Sequence, residues 1–176
     1  MRNTKTNNRL LIINVFLLSV LCLNALAGEI EDSVRLANLP STTDKQLARL
    51  SRHHNWQVRQ AVAMNRKASD VVLFTLSEDN NRNVRIAVAT NLGTNEKILM
   101  KLAHDRETQV RSVVARFEYV TAAILAYLSH DRDPDIRLEV ARNWNIDLKT
   151  LHELQQDEFN EVRNMATMSI AGRNSK

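Results

Sequence analysis

Residues 84–91 read Val84-Arg85-Ile86-Ala87-Val88-Ala89-Thr90-Asn91, and residues 58–65 read Val58-Arg59-Gln60-Ala61-Val62-Ala63-Met64-Asn65. The two stretches stand 26 residues apart, and the same offset carries the Val-Arg pair on to Val110-Arg111, Ile136-Arg137 and Val162-Arg163. Five matches in strict register are the mark of a tandem repeat. Other columns keep the period. Val62, Val88, Val114 and Val140 are each followed by alanine, at Ala63, Ala89, Ala115 and Ala141. A second apolar set runs Leu47, Leu73, Leu99, Leu125, Leu151, and a third Leu50, Leu76, Leu102, Leu128, Leu154.

Within a unit these columns fall at helical spacing: Val84, Ala87 and Val88 at i, i+3, i+4, then Ile98, Leu99 and Leu102. Each unit is therefore two short helices. Thr43, Ser69, Asn95, Thr121 and Asp147 share one repeat position and are all good N-caps for the leucine-bearing helix. The valine-bearing helix is expected to start near Asn55, Asn81 and Asp133, with Pro134 at the first helical position. It is expected to end at Asn65, Asn91 and Asn143, read as C-caps in the left-handed conformation that asparagine tolerates; a ligand-binding Asn ladder is the alternative. Neither face of so small a unit can be buried alone, so units must stack. The expected fold is all-α, about five two-helix units over residues 43–176. Residues 28–42, with Ile30, Val34 and Ala37, form an incomplete first unit acting as a cap.

The pattern Val-Arg-x-Ala-Val-Ala-x-Asn followed by Leu-x-x-Leu-Ser/Ala-x-Asp resembles the variant leucine-rich repeat, a relative of the HEAT-like helical repeats. The resemblance covers Thr43 to Ala171. It implies a right-handed superhelix, an α-solenoid of alternating short helices, some of them 3₁₀ rather than α, that serves as an interaction surface. Some relatives hold an iron-sulfur cluster on cysteines, whereas here the single cysteine is Cys22. The Asn column lapses at Phe117, which departs from the pattern.

The chain of 176 residues carries a net charge of +4, but Arg2, Lys5 and Arg9 lie at its start. Without residues 1–27 there remain 21 basic against 20 acidic residues, a net of +1. That start reads as a secretory signal: a polar basic stretch, an apolar run from Leu10 to Leu23, and small residues at Ala25 and Ala27, with cleavage expected between Ala27 and Gly28. The expectation is export to the periplasm or beyond and no membrane association after cleavage, with an uncleaved anchor as the alternative. The exported chain would then lack cysteine, which removes disulfides and thiolate chemistry.

Three constellations invite a functional reading. Arg59, Arg85, Arg111, Arg137 and Arg163 could track an acidic polymer. Asp79, Asp105, Asp131 and Asp157 form an equally regular column six residues before the later arginines, so every Arg after the first has an acid of its own period to pair with, and a structural ladder is favoured. His104 and His130 share a column whose other members are Arg52, Glu78 and Gln156, and no third ligand column exists beside it, so no metal is expected. Aromatic residues amount to 5%, few for base stacking, and with the near-neutral exported chain this weighs against nucleic acid.

No catalytic constellation, phosphate-cradling loop or cofactor site is apparent, leaving a monomeric, non-enzymatic binder of another protein as the reading; an enzyme or nucleic-acid binder built on non-repeating residues is the alternative. In the valine-bearing helices, the positions two and six after the core valine rotate about 200° and 240° from the buried stripe and should face solvent. In HEAT-like stacks the second helix of each unit lines the concave side. The resemblance thus makes Met64, Ile86, Arg116, Leu138 and Arg142 candidate residues of a groove floor that suits a partner with apolar and acidic groups.

Overall fold

A computed structural model describes residues 25–174. The leader lies outside them as far as residue 24, with its apolar run and Cys22. Its expected cleavage pair, Ala27 and Gly28, sits exposed in the first helix, α1 (residues 25–38). Ten further helices follow: α2 Asp44–Leu50, α3 Trp56–Met64, α4 Asp70–Leu76, α5 Arg82–Thr90, α6 Glu96–Ala103, α7 Thr108–Arg116, α8 Ala122–Leu128, α9 Pro134–Arg142, α10 Leu148–Leu154 and α11 Asn160–Asn174. All are α-helices and, among the described residues, there is no strand. The 3₁₀ turns implied by the family resemblance are thus replaced by α-helix.

The caps explain where the helices begin. Thr43 and Gln46 form a reciprocal capping box at α2, and the Asn95 and Asp147 side chains accept the amides of Ile98 and Thr150. Ser69 and Thr121 occupy the N-cap position without a side-chain cap bond. At the valine-bearing helices the Asn55, Asn81 and Asp133 side chains accept the amide two residues on, and Pro134 opens α9 where its missing N–H costs nothing.

The repeat columns form the core. Val58, Val84, Val110 and Ile136 are fully buried, as are Leu47, Leu73, Leu125 and Leu151. Each such side chain contributes roughly 1.5–3 kcal/mol by leaving water. The alanine column admits close approach of the next helix, and Ala63, Ala89, Ala115 and Ala141 are wholly covered. The valine-bearing helices pack directly on one another in succession, α3 on α5, α5 on α7, α7 on α9 and α9 on α11. Each leucine-bearing helix from α4 to α10 lies against the valine-bearing helices on either side of it in sequence, and contact between leucine-bearing helices is sparser, α6 meeting α8. Ala37 of α1 is buried, and Ile30, Val34 and Leu36 pack against the same core.

Candidate functional site

Two ladders run across the repeats at opposite ends of the valine-bearing helices. At the N-terminal ends, the Nε of Arg59, Arg85, Arg111 and Arg137 donates to Oδ2 of Asp79, Asp105, Asp131 and Asp157 at 2.5, 2.6, 2.7 and 2.6 Å. Nη2 donates to the other oxygen of the same carboxylate at 2.9–3.1 Å, giving a two-pronged match. The partner is therefore the aspartate 20 residues later, in the next unit. The pairing within one period is corrected: Nη1 of Arg85, Arg111, Arg137 and Arg163 reaches the backbone carbonyl of the aspartate six residues earlier, at 2.7–2.8 Å, and not its carboxylate. Arg59, expected to be the unpaired end, has Asp79, and Arg163 instead lies beyond the last pair.

The geometry has a simple origin. Each Asp side chain also accepts the amide two residues ahead, as Asp79 does from Asn81, which turns its carboxylate towards the preceding unit. Burial raises the Asp79, Asp105 and Asp131 carboxyls, but the hydrogen bonds from arginine and from that amide outweigh it and hold all three below the usual range. Asp157 is lowered chiefly by the Arg137 hydrogen bond. The four paired guanidinium groups are correspondingly raised, first by the same bonds. In the Arg85–Asp105 pair the side chains are only 4% and 8% exposed.

The second ladder was missed. Asn65, Asn91 and Asn143 are C-caps, but in extended backbone with φ of −72°, −75° and −69°, and no non-glycine residue among those described has positive φ. Their amides face the preceding unit. Asn91 Nδ2 donates to the carbonyls of Ala63 and Asn65 at 2.6 and 3.0 Å, Asn143 to those of Ala115 and Phe117, and Asn65 to that of Ala37. Each Oδ1 accepts the amide two residues on, from Lys67, Gly93 and Asn145. A signal was present, since a column repeating every 26 residues suits a side chain that reaches 26 and 28 residues back. Phe117 interrupts this ladder, and Ser169 takes the place of an asparagine beyond α9, donating to Ala141.

The groove candidates divide. Met64 and Met168 are 61% and 66% exposed, and Thr90, Arg116 and Arg142 are exposed as well. The positions two after the core valine are corrected: Gln60, Ile86, Ser112 and Leu138 are half-buried, Ile86 and Leu138 packing on the core, because the neighbouring valine-bearing helix is close enough to cover the flank of the stripe. Asn164 of α11 is exposed at that position.

Concavities gather the exposed set. One of about 740 Å³ between α1 and α3 is lined by Ile30, Val34, Trp56 and Met64; one of about 470 Å³ by Thr90, Leu92, Val113 and Arg116; one of about 230 Å³ by Arg142, Trp144, Met168 and Arg173. Leu92 and Trp144, 49% and 64% exposed, add apolar surface beside these helices that periodicity alone did not single out.

His104 and His130 lie on another side, in a cleft with Arg106, Tyr127 and Arg132, where the His104 ring stacks on Tyr127 at 4.1 Å. Both histidine Nδ1 atoms lie against carbonyls of their own helices, those of Met100 and Ala126, and no group of three or more metal-ligating side chains occurs among the described residues. No described helix is long and apolar enough to cross a membrane. No protein-family model matches the chain, and no curated protein matches it.

Proposed function

We propose that residues 43–176 form a right-handed α-solenoid of the variant leucine-rich or HEAT-like kind, about five two-helix units capped by residues 28–42. In this reading the exported, monomeric protein works without enzymatic activity as a scaffold, adaptor or inhibitor that binds another protein. The observation that carries the reading is the unbroken succession of contacts from α3 through α5, α7 and α9 to α11, against the sparser contact among leucine-bearing helices. A stack packed more tightly along one side curves towards it, which makes the valine-bearing side concave. Along that side stand Met64, Thr90, Arg116, Arg142 and Met168, all exposed. Methionine adapts to irregular apolar partners and arginine pairs with acidic groups, so the partner is a protein surface offering both. The leader over residues 1–27 supports an envelope location.

The test is site-specific photo-crosslinking in the envelope of the producing cell. A photoreactive residue at Arg116 is expected to yield an adduct of one defined mass, while the same residue at Lys149 on α10, 88% exposed, yields none. Equal labelling at both positions, or none at Arg116, sinks the groove reading.

A further inference from the structure

The cleft that holds the two histidines lies at the N-terminal ends of α7 and α9, has a volume of about 570 Å³, and is lined by residues of two consecutive units. Its lining departs from the repeat. One repeat position holds His104 and His130 where the units on either side have Glu78 and Gln156, and another holds Arg106 and Arg132 where they have Asn80 and Glu158. Tyr127 stands where its neighbours carry Lys101 and Glu153. The stack does not require these residues, since the rungs at Asp79 and Asp157 form without them.

The acids of the cleft are already engaged. Asp105 and Asp131 each accept two bonds from the arginine of the preceding unit and one from a backbone amide. Positive charge is therefore left on Arg106 and Arg132. Among the described residues no carboxylate lies within ion-pair distance of Arg132, and Arg106 has only Glu107 at 3.9 Å, with both side chains well exposed. The histidine Nδ1 atoms lie 2.8 and 3.1 Å from the carbonyls of Met100 and Ala126. A carbonyl only accepts, so in the neutral rings Nδ1 carries the hydrogen and Nε2 keeps a lone pair at the far edge. Tyr127, stacked on His104 and still 44% exposed, adds a flat apolar wall.

We propose that this cleft binds a small, ring-bearing phosphate monoester, its phosphate between Arg106 and Arg132 and its ring against Tyr127. Guanidinium groups match phosphate oxygens with paired N–H donors. A phosphate monoester loses its second proton only near pH 6, roughly, so it retains an O–H in part of its population where a sulfate or carboxylate has none. That hydroxyl is the donor a histidine Nε2 can accept. The volume lies within the range of about 300–1,000 Å³ usual for small-molecule sites. Arg116 stands at the opposite end of α7, so the cleft is separate from the groove.

The probe is phenyl phosphate, titrated into the intact protein by calorimetry. Saturable binding is expected with Kd on the order of 0.1 mM. Phenyl sulfate, benzoate and inorganic phosphate, the last lacking the ring, should each bind about tenfold more weakly. Arg106→Gln and Arg132→Gln should each cost about tenfold, whereas replacing Arg82, an exposed arginine of α5 outside the cleft, by Gln leaves binding unchanged. The ligand series needs no altered protein, so a poorly folded variant cannot hide the result. No saturable binding at about 10 mM ligand, equal affinity for phenyl sulfate, or an equal loss in the Arg82 variant overturns the proposal. Capture by phosphatidic acid vesicles that is lost in Arg132→Gln, with no gain from the phenyl ring, also overturns it by placing the phosphate on a lipid headgroup. None of these outcomes bears on crosslinking at Arg116, so this cleft and the groove stand or fall separately.

Discussion

The two ladders tie the same units together by different chemistry. The Arg–Asp ladder at the N-terminal ends of the valine-bearing helices is charged and continuous over four rungs. The Asn ladder at the C-terminal ends is uncharged, borrows backbone carbonyls as acceptors, and is interrupted at Phe117, between α7 and its predecessor. An Arg–Asp rung needs two side chains to agree across 20 residues. An Asn rung needs one, because the carbonyl is supplied by any sequence. One ladder thus responds to pH and to loss of either partner, and the other to loss of the amide alone.

The widest separation between them is expected in acid. The four ladder aspartates have folded-state pKa values below the unfolded carboxylate value of about 3.9. Their contribution is fully present above that value and is lost as pH falls through the lowered ones. Urea midpoints should therefore be insensitive to these groups between pH 7 and 5 and fall steeply below about pH 4. An unchanged midpoint at pH 3 would mean that the rungs contribute nothing.

Next in size is Asp105→Ala, which leaves the Arg85 guanidinium buried without its acid. A loss of about 3–5 kcal/mol is expected at pH 7, shrinking in acid, whereas joint replacement by Arg85→Met and Asp105→Leu should cost far less. Calorimetry on the single and double variants checks this, and equal losses would show that packing rather than charge holds the rung.

Smallest is Asn91→Ala, expected to cost about 1–3 kcal/mol because the buried Ala63 carbonyl loses its donor, while the Asn65 carbonyl keeps the Ala68 amide. That cost should be the same at pH 7 and pH 4.5. A pH-dependent value would couple the two ladders and break the comparison.

The repeat, the helices and most helix starts were legible because apolar spacing and cap residues act within a few positions of the chain. Which atoms meet across units was harder to read. Arg111 and Asp105, six residues apart, look like neighbours in sequence, yet Asp105 spends its carboxylate on Arg85 and on its own turn. Backbone tolerance is a local property and makes the asparagines resemble left-handed caps, whereas their amide bonds belong to the preceding unit. Ile86 and Leu138 were placed in solvent by rotation about one helix, and the adjacent helix half-covers them. The exposure of Met64, Arg116 and Arg142 follows from the same rotation, since six residues past the core valine lies beyond that neighbour's reach.

The ladder bonds join positions 20, 26 or 28 apart, and the tie from Arg173 to Trp144 spans 29. Order can therefore spread as each unit is completed, without waiting for a remote segment, and loop closure costs little at every step. A chain built this way can begin to fold while its later units are still being made, and it can fray from one end while the rest stays intact.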